Sequence, residues 1–540
     1  MTRVSDMLKT LDTVDPRPGV RWTTGNIAEA FPGVFTLFGM TFAFEPMEMS
    51  FRRLFVDLGV FARNELRVPE DVEDCFLTVF SGWGAGNIDK FREIANVMPG
   101  TTANAVEQQL FGYARPETVD ENSRKRYPAI IVKAPRWMLR TPKRHNTMFA
   151  KLRTWRLDQL SRIANLDENG CMAVLADSRR RFEDMMKIHM GVAMVSSSIA
   201  EKVAAAAAAA GKPGLEAQLL SGVGSDENEV AHDLWALAHN QITVGEFTDR
   251  HGYHGPNEGQ LIGVTWRENP APVLARLDDY RAIDAGSPRA PRNRSAAQAA
   301  ARQRALAELL AATPRFKRRL IAMIVKLAAR FLALREQGKA GYLLTYDVAR
   351  ATARRLGALL VERDIIADSE DVFHLSYHDL VAGISGDQRA AVADRVAQYA
   401  ERQGIRLPKA WSGSPDITKL ATATGELLDV GGIVAGVAAS GGIAEGRARV
   451  VRDPGDVDID DGDILVCETT DPSWVSLFLV AGAVVTDHGG MLSHGPIVAR
   501  EIGIPCVCGT ETGTNRIPDG AQVRVNGDVG TVEVIGCYAQ

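Results

Sequence analysis

The 540-residue sequence has no uninterrupted apolar run of about 18 residues, the length a membrane-spanning helix needs. Its N-terminus, MTRVSDMLKTLDTVDPRPG, has several acids and no apolar core, so it does not read as an export signal. Six cysteines (Cys75, Cys171, Cys467, Cys506, Cys508 and Cys537) show no CxxC spacing, which leaves no metal site and suggests buried thiols in a reducing cytosol. Cys506 and Cys508 flank Val507 in a strand-like stretch and should share one face. Neither sign of charge dominates: 62 basic against 67 acidic residues leaves no electrostatic footprint for nucleic acid. Short basic tracts such as 315–319 read as a solvated helix face. No glycine-rich loop carries a lysine suited to ATP phosphates, since GVGSDENE and GGIVAGVAASGG both lack one. The expectation is a cytoplasmic, multidomain protein with no membrane and no nucleic-acid partner.

What is present falls into two textures. Residues 1–407 read as a mainly helical region. Leu320, Ile324, Leu327, Phe331 and Leu334 follow the spacing of one helix face, 345–364 and 389–403 read as further helices, and the Ala204–Ala210 run ends at Gly211 and Pro213. Residues 284–295 read as an exposed loop. Residues 408–430, rich in Gly, Pro, Ser and Thr, read as a linker. From 431 to 540 short strands alternate with glycines and aspartates: GRARVVRD, GDILVCET, GAVVTD, PCVCGT, AQVRVNGD and GTVEVIG. Apparent helices at 473–481 and 494–502 interrupt them, which makes this a compact α/β domain.

The chemistry concentrates in Thr486-Asp487-His488-Gly489-Gly490-Met491-Leu492-Ser493-His494-Gly495-Pro496, between a strand and a helix. Paired glycines allow a sharp turn. Ser493 is placed as an N-cap, with His494 and Pro496 in the first helical turn. Gly503 and Pro505 then end the helix. Unpaired N–H groups and the helix dipole favour an anion there, and a neutral imidazole is a nucleophile toward phosphorus.

The stretch 432–535 resembles the mobile phosphohistidine domain of the phosphoenolpyruvate-utilising enzymes. The resemblance rests on GIAEGRARVVRDP, GDILVCETTDPSWVSLF, AGAVVTDHGGMLSHGPIVAREIGIPCVCGT and IPDGAQVRVNGDVGTVEVI. It implies that His494 is phosphorylated, that Gly489, Gly490, Ser493 and Thr470 form the phosphate loop, and that the domain swivels between two sites. His488 reads as loop structure or a phosphate contact. Members such as phosphoenolpyruvate synthase place a (β/α)8 barrel of about 250 residues after this domain. Only 46 residues follow His494 here, so pyruvate chemistry in such a barrel is not expected.

The segments WTTGNIAEAFPGVFTL (22–37), RHGYHGPNEGQLIGVTWRE (250–268) and ERDIIADSEDVFHL (362–375) resemble the acceptor-binding part of rifampicin phosphotransferase-like proteins. In those proteins an ATP-grasp domain precedes this part, whereas about 20 residues precede Trp22 here. That arrangement is similar to phenylphosphate and 4-cresol phosphate synthases, which place ATP binding on one chain and the histidine and acceptor site on another. The resemblance implies ATP and Mg²⁺ held mainly by a separate ATP-grasp subunit, no metal site in this chain, and a small aromatic hydroxyl as acceptor in aromatic-compound degradation. A protein-to-protein phosphocarrier and a phosphotransferase for an antibiotic or other alcohol are the alternatives.

For acceptor activation, HGYHGPNE (251–258) gathers two histidines and a carboxylate. His254 is the candidate general base, with Glu258 or His251 orienting it; a structural turn is the other reading. Phe31, Phe35, Phe38, Phe42, Phe44, Met40 and Met47 could line an apolar acceptor pocket or form plain core. His145, His189, His232, His239, His374 and His378 read as structural.

Overall fold

The computed structural model describes residues 2–13, 16–99, 102–104, 107, 123–223, 226–287, 290–405, 407–417, 426–452, 459–470, 474–478, 480–490 and 494–536. For a few of these, His494 among them, the description is confined to the backbone. The protein is multidomain: a helical N-terminal region precedes a C-terminal sheet domain. The chain divides into two compact units, one of residues 1–192, 259–263 and 338–423, the other of 193–258, 264–337 and 424–540.

In the first unit the helix Leu37–Leu58 is buried on nearly every side, as its apolar sequence LFGMTFAFEPMEMSF requires. The Thr36 hydroxyl caps it by accepting from Gly39 N at 3.1 Å, and Gly59, at φ +88°, ends it. Beside it lies a four-stranded sheet: β1 (Arg21–Thr23), β2 (Leu77–Phe80), β3 (Trp83–Asn87) and β4 (Ala410–Ser412), in the order β2-β3-β1-β4. Trp22, Phe80 and Ala85 are buried against it, with Trp411 packed alongside. The texture of the first 400 residues did not reveal this sheet, because its strands are three to five residues long and one pairing, β1 with β4, joins segments nearly 400 residues apart. β4 also lies within the stretch read as a linker and pairs antiparallel with β1.

The helices expected at 320–334 and 345–364 are one continuous helix, Arg315–Glu362. Of the predicted stripe, Phe331 and Leu334 are buried, while Leu320 is 53% exposed. The buried face at this end runs instead through Val325, Ala328, Phe331 and Leu332, so Leu320 is turned outward. Arg389–Gln403 is helical as expected, and Glu168–Ala209 ends within the alanine run. Among the described helices, Glu168–Ala209 is long and apolar enough to cross a membrane by length and composition. The expected loop at 284–295 is shorter than read, because a helix begins at Pro291.

A buried ion pair braces the first unit. Arg156 Nε donates to Asp347 Oδ2 at 2.7 Å, and both side chains are almost wholly buried. Arg156→Met should therefore destabilise the protein by about 3–5 kcal/mol, because it takes the guanidinium away from a buried carboxylate. Adding Asp347→Leu should recover much of that loss. Urea denaturation of the single and double variants measures both effects.

The C-terminal domain is an eight-stranded sheet: β5 (Ile433–Ala435), β6 (Val437–Ser440), β7 (Ile443–Val451), β8 (Ile464–Cys467), β9 (Ala483–Thr486), β10 (Cys506–Cys508), β11 (Gln522–Asn526) and β12 (Thr531–Gly536). The order is β5-β12-β11-β7-β8-β9-β10-β6, with β7 to β10 parallel. Side-chain alternation builds a core on each face. Leu465, Cys467, Val484, Cys506 and Cys508 face Leu477, Phe478, Val498 and Ala499 of the helices. Ile464, Val466, Ala483, Val485 and Val507 face Val523, Val525, Val532 and Val534. Cys506 and Cys508 do share a face, and Val507 takes the other. Burial raises the Cys506 thiol pKa well above its usual range. Cys537 lies outside the described residues.

Candidate functional site

The strand-to-helix loop of the C-terminal domain is built on the edge where parallel β9 ends. Gly489 adopts φ +118°, a conformation that L side chains rarely take, so the turn needs glycine there. The Gly489 carbonyl lies 3.0 Å from where a Cβ on Gly509 would sit, which keeps that neighbour a glycine too. A Cβ on Gly490 would meet nothing within 4 Å. His494 then opens the nine-residue helix His494–Ile502. Its N-terminal N–H groups have no intrahelical carbonyl partners, the feature that attracts an anion. Ser493 lies outside the described residues, so the expected N-cap lies outside them as well. The helix stops as expected: Gly503, at φ +81°, donates to Ala499 O at 2.7 Å, and Ile504 N donates to the same carbonyl at 3.0 Å.

Thr470 and the first helical turn come together. Thr470 is buried, and its Oγ1 lies 2.9 Å from the position of a Cβ on Gly495. Any side chain at 495 would collide with that hydroxyl, so glycine beside His494 preserves the approach.

Asp487 anchors the loop, a role its sequence position did not disclose. Its carboxylate is buried and accepts from Thr510 Oγ1 at 2.7 Å, from Thr514 N at 3.2 Å, and from the Thr514 hydroxyl. The backbone joins in: Thr510 N donates to Thr486 O at 3.1 Å and Glu511 N to Asp487 O at 3.0 Å. These partners lie 23 and 27 residues downstream, past β10, and no spacing rule links them to the motif. Asp487→Ala should cost about 1–3 kcal/mol by leaving buried donors unmet, and thermal unfolding of the variant checks this. His488, by contrast, is exposed, with Nε2 3.5 Å from Glu468 Oε1.

The HGYHGPNE segment belongs to the second unit up to Glu258. It follows the helix Val244–His251, whose N-terminus carries a capping box between Thr243 and Glu246. His251 Nε2 lies 2.8 Å from Asp233 Oδ2, and Arg250 donates to the same carboxylate. The hydrogen bond from His251 is the main influence holding the Asp233 carboxyl below its usual pKa. His254 is buried and its Nδ1 lies 2.7 Å from Glu258 Oε2, also buried. The His254 ring packs against Tyr253, with centroids 4.2 Å apart, and Trp266, at 5.4 Å. Of the two orienting partners considered, Glu258 holds His254 through its side chain. His251 contributes its backbone carbonyl, which accepts from His254 N at 3.0 Å. Asp233 and Trp266 completed the cluster without a sequence cue, because both lie outside the motif.

The seven apolar residues Phe31, Phe35, Phe38, Met40, Phe42, Phe44 and Met47 are all buried. Phe31 and Phe42 pack with Tyr342 or Tyr346 of the helix Arg315–Glu362, and Phe38 and Phe42 with Tyr377. Of the remaining histidines, His145 is fully buried, His232 Nε2 lies 3.1 Å from Ser295 Oγ, and His374 has its pKa lowered chiefly by burial. His189 packs its ring against Tyr342, His239 against Trp235 and His378 against Tyr377.

A glycine-turned loop that leads from a parallel strand into a histidine-started helix defines the class. The C-terminal sheet domain carries a mobile domain of the PEP-utilising enzymes, matched over residues 459–530. Residues 163–336 match the fourth domain of rifampicin phosphotransferase. Among individual proteins, the chain is similar to rifampicin phosphotransferase from Streptomyces sviceus, 31% identical over 300 residues, which is 54% of this chain and 34% of that protein. It is similar to the Bacillus subtilis enzyme of the same name, 34% identical over 217 residues, covering 39% of this chain and 24% of the relative. An uncharacterized phosphotransferase of Bacillus subtilis is 36% identical over 200 residues, covering 35% of this chain and 24% of the relative. The chain thus spans a quarter to a third of the length of these relatives.

Proposed function

We propose that this protein is the histidine-carrying and acceptor-binding component of an ATP-dependent phosphotransferase, with His494 as the phosphoryl carrier. The observation that carries the reading is the loop itself: His494 opens a helix after a turn that requires Gly489, with Thr470 against the adjoining Gly495. The similarity of the flanking segments to a PEP-utilising mobile domain and to proteins named phosphotransferases supports it.

In the first half-reaction a neutral imidazole nitrogen of His494 attacks the phosphorus of a phosphoanhydride. A P–N bond forms as the donor P–O bond breaks, and the displaced oxyanion leaves. The helix N–H groups hold the negative charge of the phosphohistidine. In the second, an acceptor hydroxyl oxygen attacks that phosphorus, the P–N bond breaks, and the hydroxyl proton passes to a base. His254, oriented by Glu258, takes that role in this reading. The acceptor is an aromatic hydroxyl, as in the phenylphosphate synthases that the sequence resembles. A hydroxyl of an antibiotic is the second reading, favoured by the name that several relatives carry, rifampicin phosphotransferase.

ATP and Mg²⁺ are assigned to a separate ATP-grasp partner. Isothermal calorimetry of the purified chain with Mg·ATP should show no binding in the micromolar range, and micromolar affinity would overturn the division of labour. Incubation with the ATP-grasp partner, Mg·ATP and a panel of phenols and rifamycins tests the acceptor class by the phosphorylated product.

A further inference from the structure

The first turns of the helix Arg315–Glu362 form a surface that the transfer reaction does not use. Phe316, Leu320 and Met323, spaced i, i+4 and i+7, are 81%, 53% and 58% exposed. The opposite face becomes buried only from the following turns, at Val325 and Ala328. Around the apolar stripe stand Arg315, Lys317, Arg319, Lys326 and Arg330, all exposed. Among the described residues none of these five cations pairs with a carboxylate. No acid occurs anywhere between Glu308 and Glu336, in a chain whose formal net charge is −5. Several of the cations crowd the helix N-terminus, where the dipole disfavours positive charge.

We propose that this face docks on an anionic lipid surface. The stripe from Phe316 to Arg330 is about 21 Å long at the α-helical rise. Cations on both flanks would meet headgroup phosphates, while Phe316, Leu320 and Met323 enter the headgroup–acyl boundary. Charge complementarity and the apolar centre together select this occupant. A nucleic-acid backbone offers the anions but no apolar surface for the stripe to enter. A second copy meeting the same face would set five cations against five. The contact is peripheral, not a span.

Co-sedimentation of the full chain with vesicles tests the proposal. Vesicles of equal parts phosphatidylglycerol and phosphatidylcholine should pellet the protein at moderate salt, and pure phosphatidylcholine vesicles should not. Each cation near such a leaflet multiplies partitioning about fivefold. Arg319→Glu with Lys326→Glu should therefore lower the partition coefficient about 25-fold or more. The triple variant Phe316→Ser, Leu320→Ser, Met323→Ser should also lower it, about tenfold or more. Circular dichroism and sedimentation velocity confirm that both variants fold as the wild type does. Wild-type protein remaining in the supernatant overturns the proposal. So does binding that the serine variant retains in full, which would be non-specific adhesion of charge. Wild-type self-association abolished by the serine variant, or tight binding of an RNA oligonucleotide through the same residues, would likewise overturn it in favour of those partners.

Discussion

His494→Ala is expected to abolish phosphorylation of the chain. With the ATP-grasp partner and Mg·ATP, wild-type protein should acquire an acid-labile, base-stable phosphate on the peptide that contains residue 494. Acid lability separates a P–N bond from the phosphoesters of serine or threonine. The effect should be total because no other group replaces the nucleophile: His488 lies on the other side of the Gly489–Gly490 turn and sits beside Glu468. His488→Ala should therefore keep at least part of the label. Gly495→Val offers an independent check, since its side chain would drive into Thr470 Oγ1. It should reduce loading strongly while the domain still folds, as judged by circular dichroism. Undiminished labelling of His494→Ala would remove the basis of the proposed function.

The second large effect concerns discharge of the phosphohistidine. His254→Ala should slow transfer to the acceptor by about 10²–10⁴-fold, the usual contribution of a positioned general base, and leave loading of His494 nearly unchanged. Phosphoryl transfer passes through a loose transition state, so positioning and charge outweigh strong activation of the nucleophile. A phenol, with a pKa near 10 like that of tyrosine, needs only modest help at neutral pH. More acidic phenols should therefore lose less on substitution. Glu258→Gln should give a smaller loss, because the carboxylate at 2.7 Å orients the imidazole without taking the acceptor's proton itself. Single-turnover kinetics separate the steps: preload the histidine, add acceptor and follow loss of label. Discharge of His254→Ala at the wild-type rate would make the buried His254–Glu258 pair a structural tie for its loop. Uniform losses across the phenol series would make His254 an orienting group.

Much of the C-terminal domain was legible from its residues. Each of its glycine-bounded apolar runs became a strand, and the alternation Cys506-Val507-Cys508 divided as a strand must. The turn at Gly489 and the helix from His494 to Ile502 also lay where local chemistry put them. Local rules suffice there because turn, helix end and strand period are properties of a few adjacent residues.

Periodicity failed where the environment changed along one helix. The Leu320–Leu334 stripe is apolar throughout, but whether a position faces core or solvent depends on what packs against it. Leu320 and Phe316 therefore emerged as surface. Three-residue strands such as β1 and β4 carry too little pattern to read, and their pairing joins residues nearly 400 positions apart. The Asp487 anchor was hidden for a related reason. A carboxylate seeks whatever donors the fold brings to it, and Thr510 and Thr514 reach it only after β10 has been laid beside β9. The sequence by itself determined strands β7 to β12, the glycine turn and the helix that begins at His494, because neighbouring residues dictate backbone conformation there. Only the tertiary structure decided that Asp487 is tied down, that Glu258 faces His254 while His251 turns to Asp233, and that a basic, apolar helix face stands open. Those outcomes depend on which distant groups share a low-dielectric interior and which are left in water.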